Sequence, residues 1–245
     1  MKISFLTSCM DRCHHLKKTY LRNIKENMPT LNCQVEFVLL NYNSKDDLSK
    51  WVNENLSDCK IEFKYIETTK PKYFHMSKTK NILGKHATGD ILCWLDADNL
   101  SYNGFVEYIY NIFSLESKIA YKVGYTKQTK GMCGRVVCRK NDFLKINGYD
   151  EEMVGWGYEE LDFCERLKHI GIKLIELPKS FIGKIEHTDE ERFRNYPKTL
   201  IENLSSDHVC SEMQIKSNYI NFKNSQKNIS NKNYIANKNR EWGLL

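Results

Sequence analysis

Two runs, VEFVLL at residues 35–40 and DILCWLDADN at 90–99, constrain the chain more than anything else in it. VEFVLL and the ILCWL core of the second are almost uninterruptedly apolar, so strands built from them must be covered on both faces, as in a parallel sheet flanked by helices. Each run then breaks off into polar residues: NYNSKDD after the first, and two aspartates one residue apart after the second. Like charges held at a strand end repel unless they have a task or a neutralising partner.

The rest of the chain fits the same architecture. Ile3–Thr7 is a β-rich run followed by polar SCMDRCHH; Leu16, Tyr20, Ile24 and Met28 then recur at helical spacing as far as Pro29. Helical patterns over Leu48–Leu56, Ser77–His86, Gly104–Phe113, Asp142–Ile146 and Glu159–His169 alternate with strand-like Ile61–Ile66, Ile91–Leu95, Gly131–Cys138 and Lys173–Leu177, and FIGKI adds a further strand. The alternation predicts an α/β fold with a mostly parallel sheet. Ligands of such sheets bind beyond the carboxyl ends of the strands. The polar clusters at 8–15, 41–47 and 96–99 all fall there, which gathers three candidate site loops on one edge.

Composition bounds the function. With 245 residues, 41% of them hydrophobic, the chain fills a real core and is not a disordered segment. Its net charge of +6 is dispersed, which suits an anionic small ligand and gives no duplex-binding face; no nucleic-acid partner is expected. Nine cysteines without paired C-x-x-C spacing read as reduced thiols of a cytosolic protein. No stretch reaches the roughly 18–20 apolar residues of a membrane span, and the N-terminus reads as the first strand, so a Golgi-type anchor is not expected. The expected location is cytoplasmic, with a peripheral place at a membrane left open. Residues 1–216 are expected to form one domain in two halves, 1–100 and 101–216. The Asn/Lys-rich stretch 217–245 reads as a flexible or loosely attached tail whose terminal EWGLL is apolar enough to dock back.

Three constellations carry chemistry. Asp96 and Asp98, held at a strand end, suit a hard divalent cation with oxygen ligands, although D-x-D alone also fits an Asp-rich turn capping a helix. GYDEEMVGWGYEELDF places Trp156 between two glycines, where its ring can stack on a sugar or a base, just ahead of Glu159 and Glu160 at a helix start. His187, in KIEHTDEERF, is a candidate nitrogen ligand beside a carboxylate, although a lone histidine is more often a satisfied surface or core residue.

Together these motifs resemble glycosyltransferases of the GT-A type, family 2-like. The C-terminal half is similar to the galactosyltransferase-type domain of β-1,4-galactosyltransferases, polypeptide GalNAc transferases and chondroitin polymerases. The likeness rests on LDADN, on the GWG-acid-acid element, on the later histidine, and on FHMSKTKN, similar to the family's F-N-R-A-K-x-x-N segment. It spans roughly residues 1–195. The resemblance implies Asp98 and His187 as ligands of Mn²⁺ or Mg²⁺, and Asp96 near the ribose and the water shell of the ion. It implies Glu160 as the base that deprotonates the acceptor hydroxyl, with Glu159 and Asp162 holding the acceptor sugar. Trp156 would line both donor and acceptor, and Ser8, Arg12, Asn41, Asn43, Lys80 and Asn81 would contact the uridine or diphosphate. Two departures stand out: GWGYEE replaces the common GWGGED, putting Tyr158 in place of a glycine, and Asn41 stands where many relatives carry Asp. The longer side chain leaves Glu159 as the alternative base.

The implied activity is metal-dependent, inverting transfer of a hexose or N-acetylhexosamine from a UDP-sugar, UDP-galactose or UDP-GalNAc favoured. The acceptor would be a glycan, glycolipid or glycoprotein. Two rivals remain in view. A nucleotidyltransferase acting on sugar phosphates would want a glycine-rich phosphate loop, which SCMDRCHH lacks, and a non-catalytic carbohydrate-binding module would use Trp156 and nearby aromatics.

Overall fold

A computed structural model describes residues 1–202 and 215–245. The chain opens β1 (Lys2–Cys9), α1 (Cys13–Glu26), β2 (Gln34–Tyr42), α2 (Leu48–Leu56), β3 (Glu62–Thr68), α3 (Met76–His86) and β4 (Ile91–Trp94). It continues through β5 (Asn99–Ser101), α4 (Phe105–Leu115), β6 (Ile119–Lys122), β7 (Val136–Arg139), α5 (Lys140–Lys145) and α6 (Glu159–His169). Then come β8 (Lys173–Glu176), a 3₁₀ turn, β9 (Ile182–Lys184), α7 (Asp189–Phe193), α8 (Lys198–Ile201) and α9 (Lys216–Ser230).

Among the described residues the main sheet has the order β3-β2-β1-β4-β7-β6-β8. β1 to β4 run parallel, β6 runs parallel to β8, and β7 is antiparallel to both its neighbours. The sheet is therefore mostly parallel, as the apolar runs predict. Its two faces are both covered. Ile3, Phe5 and Phe37 point to the side of α1, α2 and α4, where Phe5 and Phe37, paired in register, stack with centroids 4.8 Å apart. Leu6, Val38, Leu40 and Trp94 point to the opposite side, among Phe143, Tyr149 and Phe163. The chain leaves β1 toward β2 and later returns to β4 on the other flank of β1, so β1 and β4 border the topological switch point, where such sheets bind ligands.

Several boundaries differ from the expectation. The strand expected over Gly131–Cys138 is confined to β7 (Val136–Arg139), with GMCG remaining a loop, and α1 ends at Glu26, leaving Met28 outside it and 47% exposed. The short β5–β9 ribbon pairs Asn99–Ser101 with Ile182–Lys184 antiparallel, as a sheet separate from the main one.

The stretch from residue 217 is not a loosely attached tail. It continues α9, which packs against α6 and buries Ser217, Asn221 and Ser225, spaced one per helical turn. Ser217 and Asn221 suit that face because their side chains hydrogen-bond a loop backbone. The terminal segment docks as expected: Trp242 packs edge-on to Phe143 at 5.6 Å, and Lys85 donates to its carbonyl.

Candidate active site

A cleft of about 310 Å³ opens at the switch point. The end of β1 and the loop after it supply Ser8 and Arg12, the loop after β4 supplies Asp96 and Asp98, and the loop before α6 with the first turn of that helix supplies Trp156 and Glu160. Residues after β9 add His187, Arg192, Asn195 and Tyr196.

The aspartate segment is held from behind by one polar column of α1 and its C-cap residue Asn27. Thr19 donates to the Ala97 carbonyl at 2.6 Å, Asn23 to Asn99 O at 2.9 Å, and Asn27 to Ser101 O at 2.9 Å. Spaced four residues apart, they share one face of the helix. On the other side the β5–β9 ribbon, extended by Ile185 N donating to Asp98 O at 2.8 Å, brings His187 back to the aspartates. His187 Nε2 lies 2.7 Å from Asp98 Oδ2, which Arg12 also approaches at 3.2 Å.

The two aspartates are electrostatically distinct. Burial pushes both carboxyls up. For Asp98 this is outweighed by the hydrogen bond from His187 and the charge of Arg12, so its carboxyl lies below the ordinary range. Asp96 rises to about 6, because burial and the charges of Asp98 and Glu160 outweigh the attraction of Lys80 and Arg135. Asp98 is the stronger anion, as a cation ligand requires. One carboxylate oxygen and one imidazole nitrogen, both facing a cleft, suit Mn²⁺ or Mg²⁺, with the nitrogen favouring Mn²⁺.

The GWG loop sets the two glutamates in different surroundings. Glu159 is buried and accepts from Gly157 N at 2.8 Å, and burial with the adjacent Glu160 charge raises its carboxyl well above the usual range. Glu160 faces the cleft, with its side chain 19% exposed and its Oε1 2.8 Å from Lys80 Nζ. Lys80 also donates to Gly134 O at 2.7 Å. Tyr158, standing where a glycine is common, adopts the left-handed region at φ 72°.

The structure does not bring every expected residue to the cleft. Among the described residues Asn41, Asn43, Lys80, Asn81, Glu159 and Asp162 do not line it. Asn41 accepts from Ser44 N and donates to Tyr65, and Asn43 donates to Pro71 O, so both shape the 41–47 loop. Asn81 clamps the Tyr149 backbone through its amide and carbonyl. Asp162 is closed off by Arg166 at 2.7 Å and is 1% exposed, which leaves it no face for an acceptor sugar. Lys80 sits one layer below, under Glu160. Residues the sequence reading missed include Arg192, which lies over the Trp156 ring, Tyr196, and Asn218 of α9, which lines the cleft.

His14, His15 and Glu191 also lie together, with ligand atoms within 4.8 Å. Arg12 Nε donates to His15 Nδ1 at 3.0 Å, however, which leaves the His15 proton on Nε2, toward Glu191. His14 Nε2, 3.1 Å from Glu191 Oε1, makes the trio a strap joining α7 to α1.

Residues 114–191 match the family described as the N-terminal domain of galactosyltransferase. The matched segment contains the GWG element, Glu160 and His187, and excludes the D-x-D. No curated protein sequence matches the chain. Among solved structures, S. aureus TarS 1-349 in complex with UDP aligns with a TM-score of 0.60 at 14% identity, covering 79% of this chain and 63% of that one. GalNAc-T7 with UDP, GalNAc and Mn²⁺ aligns at 0.62 and 15%, covering 77% and 44%. The Pyrobaculum calidifontis mannosyltransferase PcManGT, with GDP-Man and Mn²⁺, aligns at 0.61 and 11%, covering 92% and 75%. This chain has a GT-A glycosyltransferase fold. The expected likeness thus holds for the GT-A fold, and for a galactosyltransferase-type segment at 114–191. The chain spans less than two thirds of the UDP-bound TarS fragment.

Among the described residues no helix is long and apolar enough to cross a membrane, and the described cysteines are free thiols.

Proposed function

We propose that this chain is an inverting glycosyltransferase that moves a hexose or N-acetylhexosamine from a UDP-sugar, UDP-galactose or UDP-GalNAc, to a hydroxyl of a glycan, glycolipid or glycoprotein acceptor. The observation that carries this reading is the meeting, in one cleft, of the Asp98–His187 pair with the Glu160 carboxylate and the Trp156 ring. Residues 1–100 would hold the nucleotide and residues from 101 onward the acceptor, with α9 belonging to the acceptor half through Asn218. Free thiols support a reducing, cytoplasmic compartment.

Asp98 and His187 would hold a Mn²⁺ or Mg²⁺ ion, trading their direct hydrogen bond for it. Bound there, the ion would neutralise the diphosphate and ease its departure as a Lewis acid. Ser8 and Arg12 lie where the loop after β1 can meet the nucleotide, and Arg12 adds a fixed positive charge. Asp96, the weaker acid, would meet a hydroxyl of the donor. Trp156 offers an apolar face to a sugar ring. Glu160 accepts the proton of the acceptor hydroxyl as that oxygen bonds to the anomeric carbon, and the carbon–oxygen bond to the diphosphate breaks, releasing UDP and leaving the anomeric carbon of the product inverted. Glu159 is the poorer candidate for this step, being buried and committed to Gly157 N.

The test is UDP release from a panel of UDP-sugars with Mn²⁺, with and without EDTA. Release confined to one or two hexose donors and abolished by chelation supports the proposal. Pyrophosphate in place of UDP would assign a nucleotidyltransferase, and no turnover with any donor a sugar-binding module.

A further inference from the structure

The loop that presents Trp156 has little stiffness of its own. Gly155 and Gly157 flank the ring with φ of 62° and 105°, conformations that glycine enters freely and leaves as freely. Ordering such a loop costs conformational entropy that some other element must offset.

That element is α9. Ser217 Oγ accepts from Trp156 N at 3.0 Å and donates to Trp156 O at 2.8 Å. Asn221 accepts from Val154 N at 2.9 Å and donates to Val154 O at 2.9 Å and Gly157 O at 2.7 Å. Both side chains are fully buried. The approach is so close that a Cβ on Gly155 would fall 2.6 Å from Ser217 Cβ, and one on Gly157 2.8 Å from Asn218 Cβ. The two glycines of the motif are therefore also the seats of α9, and Phe222 adds an edge-on contact to the Tyr158 ring at 5.3 Å.

We propose that α9 is a splint for the Trp156 loop, with Ser217 and Asn221 as positioning residues that set acceptor affinity. The acceptor role rests on the transferase reading; the splint itself does not. Neither side chain touches the cleft. They act by fixing the backbone that aims Trp156, so removing them loosens the acceptor side and leaves the nucleotide side, built on β1 and β4, as it was.

The test uses the full chain with Ser217→Ala and, separately, Asn221→Ala. Amide hydrogen exchange by NMR reads each bond individually. Ser217→Ala should speed exchange at Trp156 by about tenfold or more, and Asn221→Ala at Val154, as expected for loss of one hydrogen bond in each case. With UDP-galactose, Mn²⁺ and a panel of methyl glycosides, KM for the best glycoside should rise about tenfold, while calorimetric UDP affinity in Mn²⁺ changes less than twofold. Unchanged exchange at both amides in both variants would overturn the splint. Parallel loss of UDP affinity and glycoside affinity would overturn the acceptor role, marking general damage. A wild-type chain that releases no UDP from any donor sinks the transferase reading and the acceptor role with it, while the exchange arm still decides the splint.

Discussion

Lys80 Nζ lies 2.8 Å from Glu160 Oε1, and the lysine side chain is almost wholly buried beneath it. Burial alone would pull the ammonium down, yet Glu160 and Asp96 raise it above its ordinary value, so it stays charged. Lys80 is thus the counter-charge for a patch of carboxylates on the cleft floor. Removing one partner of a buried ion pair costs about 3–5 kcal/mol because the other charge is left uncompensated. Lys80→Met should accordingly lower the melting temperature by on the order of 10 °C in a chain of this size, toward less if Asp96 takes up a proton in response. Thermal unfolding followed by circular dichroism at pH 7 measures this. An unchanged melting temperature would mean that solvent, not Lys80, balances the acids.

Glu160→Gln keeps the size of the side chain and its contact with Lys80 but cannot accept a proton. If Glu160 is the base, UDP release to an acceptor should fall by about 10²–10⁴, with donor KM nearly constant. Glu159→Gln retains a hydrogen-bond acceptor for Gly157 N and should lose far less. The reverse order of the two losses would hand the base role to Glu159.

What could be read from the sequence, and what could not, divides along physical lines. Continuous apolar strands and long amphipathic helices announce themselves, so the sheet, α2 (Leu48–Leu56), α6 (Glu159–His169) and the gathering of three loops on one edge were legible. The β5–β9 ribbon was only half legible, because three-residue strands have no period; yet it is what brings His187 to Asp98. Before the structure, only family resemblance joined those two residues. Thr19, Asn23 and Asn27 look like solvated helix positions until the backbone they hold is known. Asp162 was assigned to the acceptor although Arg166 stands four residues on, a spacing that already pointed to an internal ion pair. Ser217, Asn221 and Ser225, spaced by four in an Asn-rich stretch, were the overlooked sign that the stretch has a buried face.

The Asp98–His187 pair sets the expectation for metal. Asp98→Asn or His187→Ala should each weaken UDP binding in the presence of Mn²⁺ by at least about tenfold, since outer-sphere partners alone are typically worth that much. Titration calorimetry of UDP into the protein with Mn²⁺, and again with EDTA, measures it. Wild-type affinity that ignores EDTA would remove the ion from this site, and with it the case for His187 as a ligand.

Glu36 predicts the acid limb of stability. Its carboxylate accepts from Ser4 Oγ at 2.5 Å, Thr88 N at 2.6 Å and Thr88 Oγ1 at 2.6 Å, and lies 3.3 Å from Lys2 Nζ, tying β1 and β2 to the turn before β4. Burial pushes this acid up, but the hydrogen bonds from Ser4 and Thr88 and the Lys2 charge pull it down further, to about 2 from an ordinary 4.5. A depressed native value means the folded state favours the ionised form. The stabilisation is therefore complete above pH 4.5 and is lost as pH falls from there toward 2. Integrated over that window it amounts to roughly 3 kcal/mol. Urea unfolding at pH 6 and pH 3 should show the wild type losing a larger share of its stability on acidification than Glu36→Gln, which starts lower because it carries no charge to lose. Equal pH dependence in the two proteins would show that other acids, and not Glu36, govern the acid limb.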